Sequence, residues 1–448
     1  MHGTPDHFDT HIRDDRARSL YAQISDLDVI DAHEHLYSEA YRVSQRPDAV
    51  LMFQQQYPAI HLMGAGMPPN DLAALGDLDK PLDERWNLLR PHLPHIRQLA
   101  LVRALMMGIS ELYGFEEVTD ANYIEVTEAI QAHNRPGLYE TVFRDRCRIK
   151  ATFVQQYNAV DPPWEMPPAG SFRLPQMFEN LFNVAWRSDA VPRLEACVGA
   201  PIRTLDECLE ALKPAMAHYQ EQGLLGIKLM KQVIGPEPKR ADVAPHYEAL
   251  VAEGMGKTRS PALVEGTRAA LRDYLGHAML RICGELGLRV MFHSGMRPGV
   301  DYRSTDPNLH VPLFLKYPNV NFEIYHCGMP WVRDTGMIAM SYPNVWINMC
   351  WTHSISPRTA RSALAEWLEY VPHHKIIGFG GDSAYWIEHT VGDLKHTRTN
   401  LAMVLANRID SGESTETEAM ELAKKLLYDN PASLYGLSRG DLENLAYR

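Results

Sequence analysis

The stretch Asp31-Ala32-His33-Glu34-His35 follows the apolar run Val29-Ile30 and sets two imidazoles two residues apart on a predicted strand. A strand alternates its faces, so both rings point the same way. At a rise of about 3.3 Å per residue their Cα atoms lie roughly 6.5 Å apart, within reach of one metal ion bound at about 2.1 Å. An isolated His-x-His is more often a pair of solvated or core side chains, so partners elsewhere decide. His293 closes the run Arg289-Val290-Met291-Phe292, His326 closes Phe322-Glu323-Ile324-Tyr325, and Asp382 follows Ile376-Ile377-Gly378-Phe379-Gly380-Gly381. Three neutral imidazoles and a carboxylate suit one divalent ion, zinc first, with manganese, iron or cobalt as alternatives and a position left for water. Asp382 could ligate the ion and also take and return a proton. An imidazole outside the metal set could polarise a substrate oxygen or shuttle a proton, and His326 is assigned that role.

Positioning these residues requires a scaffold that ends several strands at one place. Short apolar runs at 29–35, 148–155, 191–198, 225–230, 289–293, 320–326, 345–350 and 375–379 read as eight strands. Helical periodicity at 205–222, 264–286 and 357–370 falls between several of them. Eight strands with intervening helices predict an α/β fold, a (β/α)8 TIM barrel, whose chemistry gathers at the C-terminal strand ends. Residues 36–147 are too long for a simple crossover and carry helical patterns at 82–93, 96–112 and 120–133. They are expected to form a helical cap, an insertion after the first strand within a single 1–448 domain. Segments 161–175 and 235–238 read as long loops, and helices are expected at 415–427 and 429–435.

Composition narrows the setting. The chain has 448 residues, 45% of them hydrophobic, which is ample for a large buried core. Its formal net charge is −12 and no Lys/Arg block stands out, so nucleic acid is not an expected partner. There is no apolar run of eighteen residues, and residues 1–18 are polar, so a cytoplasmic protein without a membrane partner is expected. The six cysteines form no Cys-x-x-Cys pair, which fits reduced thiols. Homo-oligomer formation is left open, since no interface is marked.

The Asp-Ala-His-Glu-His start, the His293 and His326 strand ends, Gly380-Gly381-Asp382-Ser383 and the closing Asp429-Asn430-Pro431-Ala432-Ser433-Leu434-Tyr435-Gly436-Leu437 together resemble the amidohydrolase superfamily, in its amidohydrolase-related branch. The resemblance implies that His33, His35, His293 and Asp382 hold one metal ion and that His326 assists catalysis. The long segment after strand one and the Trp351 region also resemble uronate isomerases. Lys228, in Gly226-Ile227-Lys228, stands where other branches carboxylate a lysine to bridge two metals; in the mononuclear branch it serves structure or substrate charge. Arg297 and Arg303, close after His293, and Arg173 are candidates to clamp a substrate carboxylate, and Trp351 to wall the pocket.

The leading expectation is a metal-dependent hydrolase that uses metal-activated water on a small, carboxylate-bearing lactone, ester or amide. The same resemblance covers non-oxidative decarboxylases of aromatic or enoic acids and uronate-isomerase-like aldose-ketose isomerases. A barrel kept only for binding is the alternative of another class, and the complete metal set argues against it.

Overall fold

The computed structural model describes residues 12–54, 57–155, 171–173, 190–221, 223–230, 233–252, 265–296, 301–438 and 440. The chain divides into two compact units. The first runs to Val154, takes in Ser171 and resumes at Asn348; the second holds Gln155 and the described residues from Phe172 to Ile347.

In the first unit β1 (Val29–Glu34) pairs in parallel with β2 (Ile149–Val154), Asp31 lying opposite Thr152. Along its other side β1 meets the segment that contains Asp382: Ala32 N donates to Phe379 O and His35 N to Ser383 O. A parallel pair cannot be joined by a tight turn. The described elements between β1 and β2 are helical, from Glu39–Ser44 to the π-helix Glu140–Arg146. Within that stretch the helix Ala100–Tyr113 crosses the helix Ile387–Asp410 at a contact that only glycine permits on each side. A Cβ on Gly108 would lie 1.9 Å from the Glu388 carbonyl oxygen, and one on Gly392 would lie 1.8 Å from that of Ala104.

β3 (Ser171–Arg173) falls in the stretch expected to be a loop. In the second unit β4 (Gly226–Leu229), β5 (Arg289–Phe292), β6 (Phe322–Ile324) and β7 (Val345–Asn348) form a parallel sheet in that order. Its register runs Lys228, Met291, Glu323, Trp346 across the strands. Helices Glu265–Leu286, Val311–Lys316 and Val332–Ser341 supply crossovers between successive strands. Leu275, Met279 and Cys283 of the first of these are buried in one core with Val290, Phe292 and Phe322. Burial on both faces explains why these strands read as continuous apolar runs rather than alternating ones.

The expected strand at 191–198 is instead the helix Ala190–Val198. Val191 and Leu194 are buried and Val198 packs against the same core, a spacing of three and four that follows a helix face and not a pleat. Here a β-branched composition misled and periodicity would have decided. β8 is shorter than expected, Ile376–Ile377, although Phe379 O and Gly380 O still accept backbone hydrogen bonds from Ala32 and Trp351. The helix Pro357–Tyr370 has the bounds its sequence predicts. Pro357 sits at its first position and the Ser356 side chain accepts from Thr359 N, both favoured at a helix start.

Candidate metal centre

His33 and His35 lie at the C-terminal end of β1, and their Nε2 atoms stand 3.0 and 3.2 Å from the same oxygen, Oδ1 of Asp382. All three side chains are buried, and one ligand atom from each lies within 4.8 Å of the others. The backbone makes this meeting obligatory. Asp382 N donates to His33 O at 2.8 Å, so the carboxylate is tied to the strand that carries the imidazoles. Asp382 has φ 54°, a left-handed conformation that Asp tolerates better than most residues.

The two glycines before it are required by close approach. A Cβ on Gly380 would come within 2.6 Å of Cys350 Cβ and 3.0 Å of His33 N, and one on Gly381 would come within 2.1 Å of Glu34 Oε1. Two buried imidazoles converging on one carboxylate oxygen are the donor set that a divalent cation takes, so the residues fit such an ion.

Behind the donors lie two further acids of β1. Asp31 Oδ1 accepts from Gly381 N and from His33 N. Glu34, on the opposite face of the strand and fully buried, accepts from Ser383 N at 2.6 Å through Oε2 and from Thr390 Oγ1 at 2.8 Å through Oε1. Burial pushes the Asp31 carboxyl up to about 7, opposed mainly by its hydrogen bond with Glu34. Burial also holds Glu34 well above the usual carboxylate range, and the charge of Asp31 adds to the rise.

Tyr57 escaped the sequence reading. Its hydroxyl donates to Asp382 Oδ2 at 2.7 Å, and its ring stacks on Trp351 with centroids 4.2 Å apart. It comes from the helix Tyr57–Gly64, between β1 and β2, and no spacing rule links a lone tyrosine there to a distant strand end. Trp351 is buried, has φ 62°, and donates its backbone N–H to Gly380 O; it therefore borders the centre from the chain that follows β7.

The second unit brings its own histidines together. His326 Nε2 and His293 Nδ1 are 3.0 Å apart, beyond the ends of β6 and β5, and both residues are buried. His326 and Cys327 have φ 59° and 55°, so the chain turns sharply as β6 ends. Lys228 is buried on β4 with Nζ 5.1 Å from the centre of the Tyr325 ring. Arg303, expected as a substrate clamp, has a side chain that is 79% exposed and pairs with Asp301 Oδ2 at 2.6 Å. Two residues apart on an exposed turn, the two side chains satisfy each other in solvent. Arg297 lies outside the described residues.

Residues 179–437, more than half the chain, match the family described as amidohydrolase, and the chain belongs to that family. Particular relatives sharpen the picture by degree. Protein fluG of Emericella nidulans is 26% identical over 155 residues, a match that covers 33% of this chain and 17% of that protein. The crystal structure of glucuronate isomerase from Caulobacter crescentus is similar with a TM-score of 0.75 at 17% identity, over 96% of both chains. Uronate isomerase from Thermotoga maritima gives a TM-score of 0.72 at 16% identity, over 95% of this chain and 98% of that one. At such identities the likeness is one of fold. No helix among the described residues is long and apolar enough to cross a membrane.

Proposed function

We propose that this enzyme hydrolyses a small, carboxylate-bearing lactone, ester or amide at the centre formed by His33, His35 and Asp382. The observation that carries the reading is the division of labour on Asp382: Oδ1 faces the two imidazoles while Oδ2 accepts the Tyr57 hydroxyl. A divalent ion held by His33, His35 and Asp382 would supply a Lewis acid that polarises the substrate carbonyl and acidifies water. Asp382 takes the proton of the attacking water and returns it to the leaving group. Tyr57 fixes the oxygen on which that proton rests. The family pattern adds His293 to the ligands and His326 as a second proton carrier; the hydrogen bond between the two rings supports a shared proton there. Lys228 and Trp351 are proposed to meet the substrate. We also propose one (β/α)8 barrel capped by residues 36–147, supported by the fold match across 96% of both chains. For 448 residues as a monomer this requires a radius of gyration of about 22 Å, and a clearly larger value by X-ray scattering speaks against it.

A second reading is favoured by Tyr57 itself. A phenol hydrogen-bonded to a carboxylate provides two adjacent proton positions, which is what moving a proton between neighbouring carbons of an open-chain sugar acid needs, and the two fold relatives above are uronate isomerases. One product screen separates the readings. With lactones, esters, amides, hydroxybenzoates and uronates supplied in H2¹⁸O, hydrolysis puts one ¹⁸O into the new acid. Isomerisation run in D2O instead puts deuterium on carbon. Release of carbon dioxide, which also leaves solvent deuterium on the carbon that lost it, would reject both.

A further inference from the structure

We propose that Glu34 is a positioning residue for the metal centre: it grips the chain on the far side of Asp382 and thereby sets the carboxylate against His33 and His35. The inference rests on the reading of those three residues as metal ligands. Glu34 belongs to the strand that carries both histidines, yet alternation sends its side chain to the other face. There its carboxyl, which also shares a hydrogen bond with Asp31, reaches two groups beyond its own strand. One oxygen accepts from Ser383 N, the amide next after Asp382, and the other accepts from Thr390 in the long helix Ile387–Asp410. Gly381, next before Asp382, has no side chain because Glu34 Oε1 fills the place where a Cβ would stand. The residues on both sides of Asp382 are therefore shaped by one side chain. Asp382 itself is held in a left-handed conformation that needs such support.

A buried acid between two imidazole ligands is thus explained without touching the ion: it converts the position of one strand into the position of a carboxylate. Partners of this kind orient the groups that ligate, and their loss typically costs about 10 to 100-fold in metal affinity.

The test is a titration of metal-stripped full-length protein with Co²⁺, reading the dissociation constant by calorimetry and the ligand geometry by the visible absorption of the bound ion. Glu34→Ala should weaken Co²⁺ binding by about 10 to 100-fold and alter the spectrum. Glu34→Gln should stay within about threefold of wild type, because its amide can still accept from Ser383 N and donate to Thr390 Oγ1. Gly381→Ala changes no ligand and leaves Glu34 in place, yet it should weaken Co²⁺ by about tenfold by forcing the two apart. That penalty should shrink in the Glu34→Ala background, where the 2.1 Å clash is gone and Thr390 Cγ2, at 3.2 Å, is the neighbour that remains. If Glu34→Ala does not fold, the Gln and Gly381→Ala variants still decide. Wild-type affinity and spectrum in a folded Gly381→Ala or Glu34→Ala protein overturn the proposal, as does a Glu34→Gln variant that loses as much as Gly381→Ala. Failure of the wild type to bind Co²⁺ is a different result: it removes the metal reading, and this inference with it.

Discussion

Both units end parallel strands in histidine, but the two pairs are held differently. His33 and His35 converge on a carboxylate whose own backbone is bonded to their strand. His293 and His326 come from separate strands and meet each other, ring to ring, at 3.0 Å. Two imidazoles aimed at an anion favour a cation between them, whereas two imidazoles sharing a hydrogen bond favour one shared proton. The first arrangement stores position and the second stores a proton. A strand end alone does not distinguish them; what lies opposite does.

The contrast can be broken most strongly at the first pair. His33→Ala with His35→Ala should lower bound metal by at least about 100-fold after dialysis, measured by elemental analysis. His326→Asn should leave metal content near that of wild type. Equal metal loss in the two proteins would erase the distinction. A step smaller, Tyr57→Phe should keep its metal and fold while kcat falls by about 100-fold on whichever substrate the screen returns. An unchanged kcat would reduce Tyr57 to packing on Trp351.

Acid should act on the units through their buried histidines. Burial pushes His353 down to about 4, and it is neutral in the fold, with Nε2 donating to Gly378 O and Nδ1 accepting from Asn400 Nδ2. His389 is pushed to about 4 and His396 to about 3 in the same unit, and His310 to about 3 in the other, each by burial. These folded values lie below the ordinary histidine value of about 6.5. Their contribution to stability is therefore complete above pH about 6.5 and is lost as pH falls from there toward 4. The melting temperature of metal-stripped protein should drop across that window. The raised carboxyls of Asp31 and Glu34 act in the opposite sense, so the neutral assignments are checked ring by ring: a histidine NMR titration that finds any of the four rings charged in the fold near pH about 5.5 contradicts them. The smallest effect is expected at Arg303→Ala, with a melting temperature indistinguishable from wild type and an unchanged KM, since the side chain is exposed and paired with Asp301. A KM rise above tenfold would restore it as a substrate clamp.

The sequence made the centre of this arrangement legible because its constraints are local or use distinctive residues. Alternation alone put His33 and His35 on one face, and Asp382 stood at the end of another apolar run. The same alternation sends Glu34 away from the ligand face. That it is buried and bonded to Ser383 and Thr390 depends on segments hundreds of residues away, which no local period reports. Tyr57 was hidden for the same reason. The run at 191–198 failed otherwise, since Val and Cys favour strands while the burial of Val191 and Leu194 follows a helix.

The reciprocal contact of Gly108 and Gly392 constrains how this protein can be altered. Each glycine lies against the other helix's backbone, so there is no side chain to repack and neither position can compensate for a change at the other. The segment between β1 and β2 is therefore keyed to the helix that follows Asp382. A replacement segment would fit only if it offered a glycine at that one crossing, whatever the rest of its sequence, which makes Gly108 the position to preserve in any exchange of the region that supplies Tyr57.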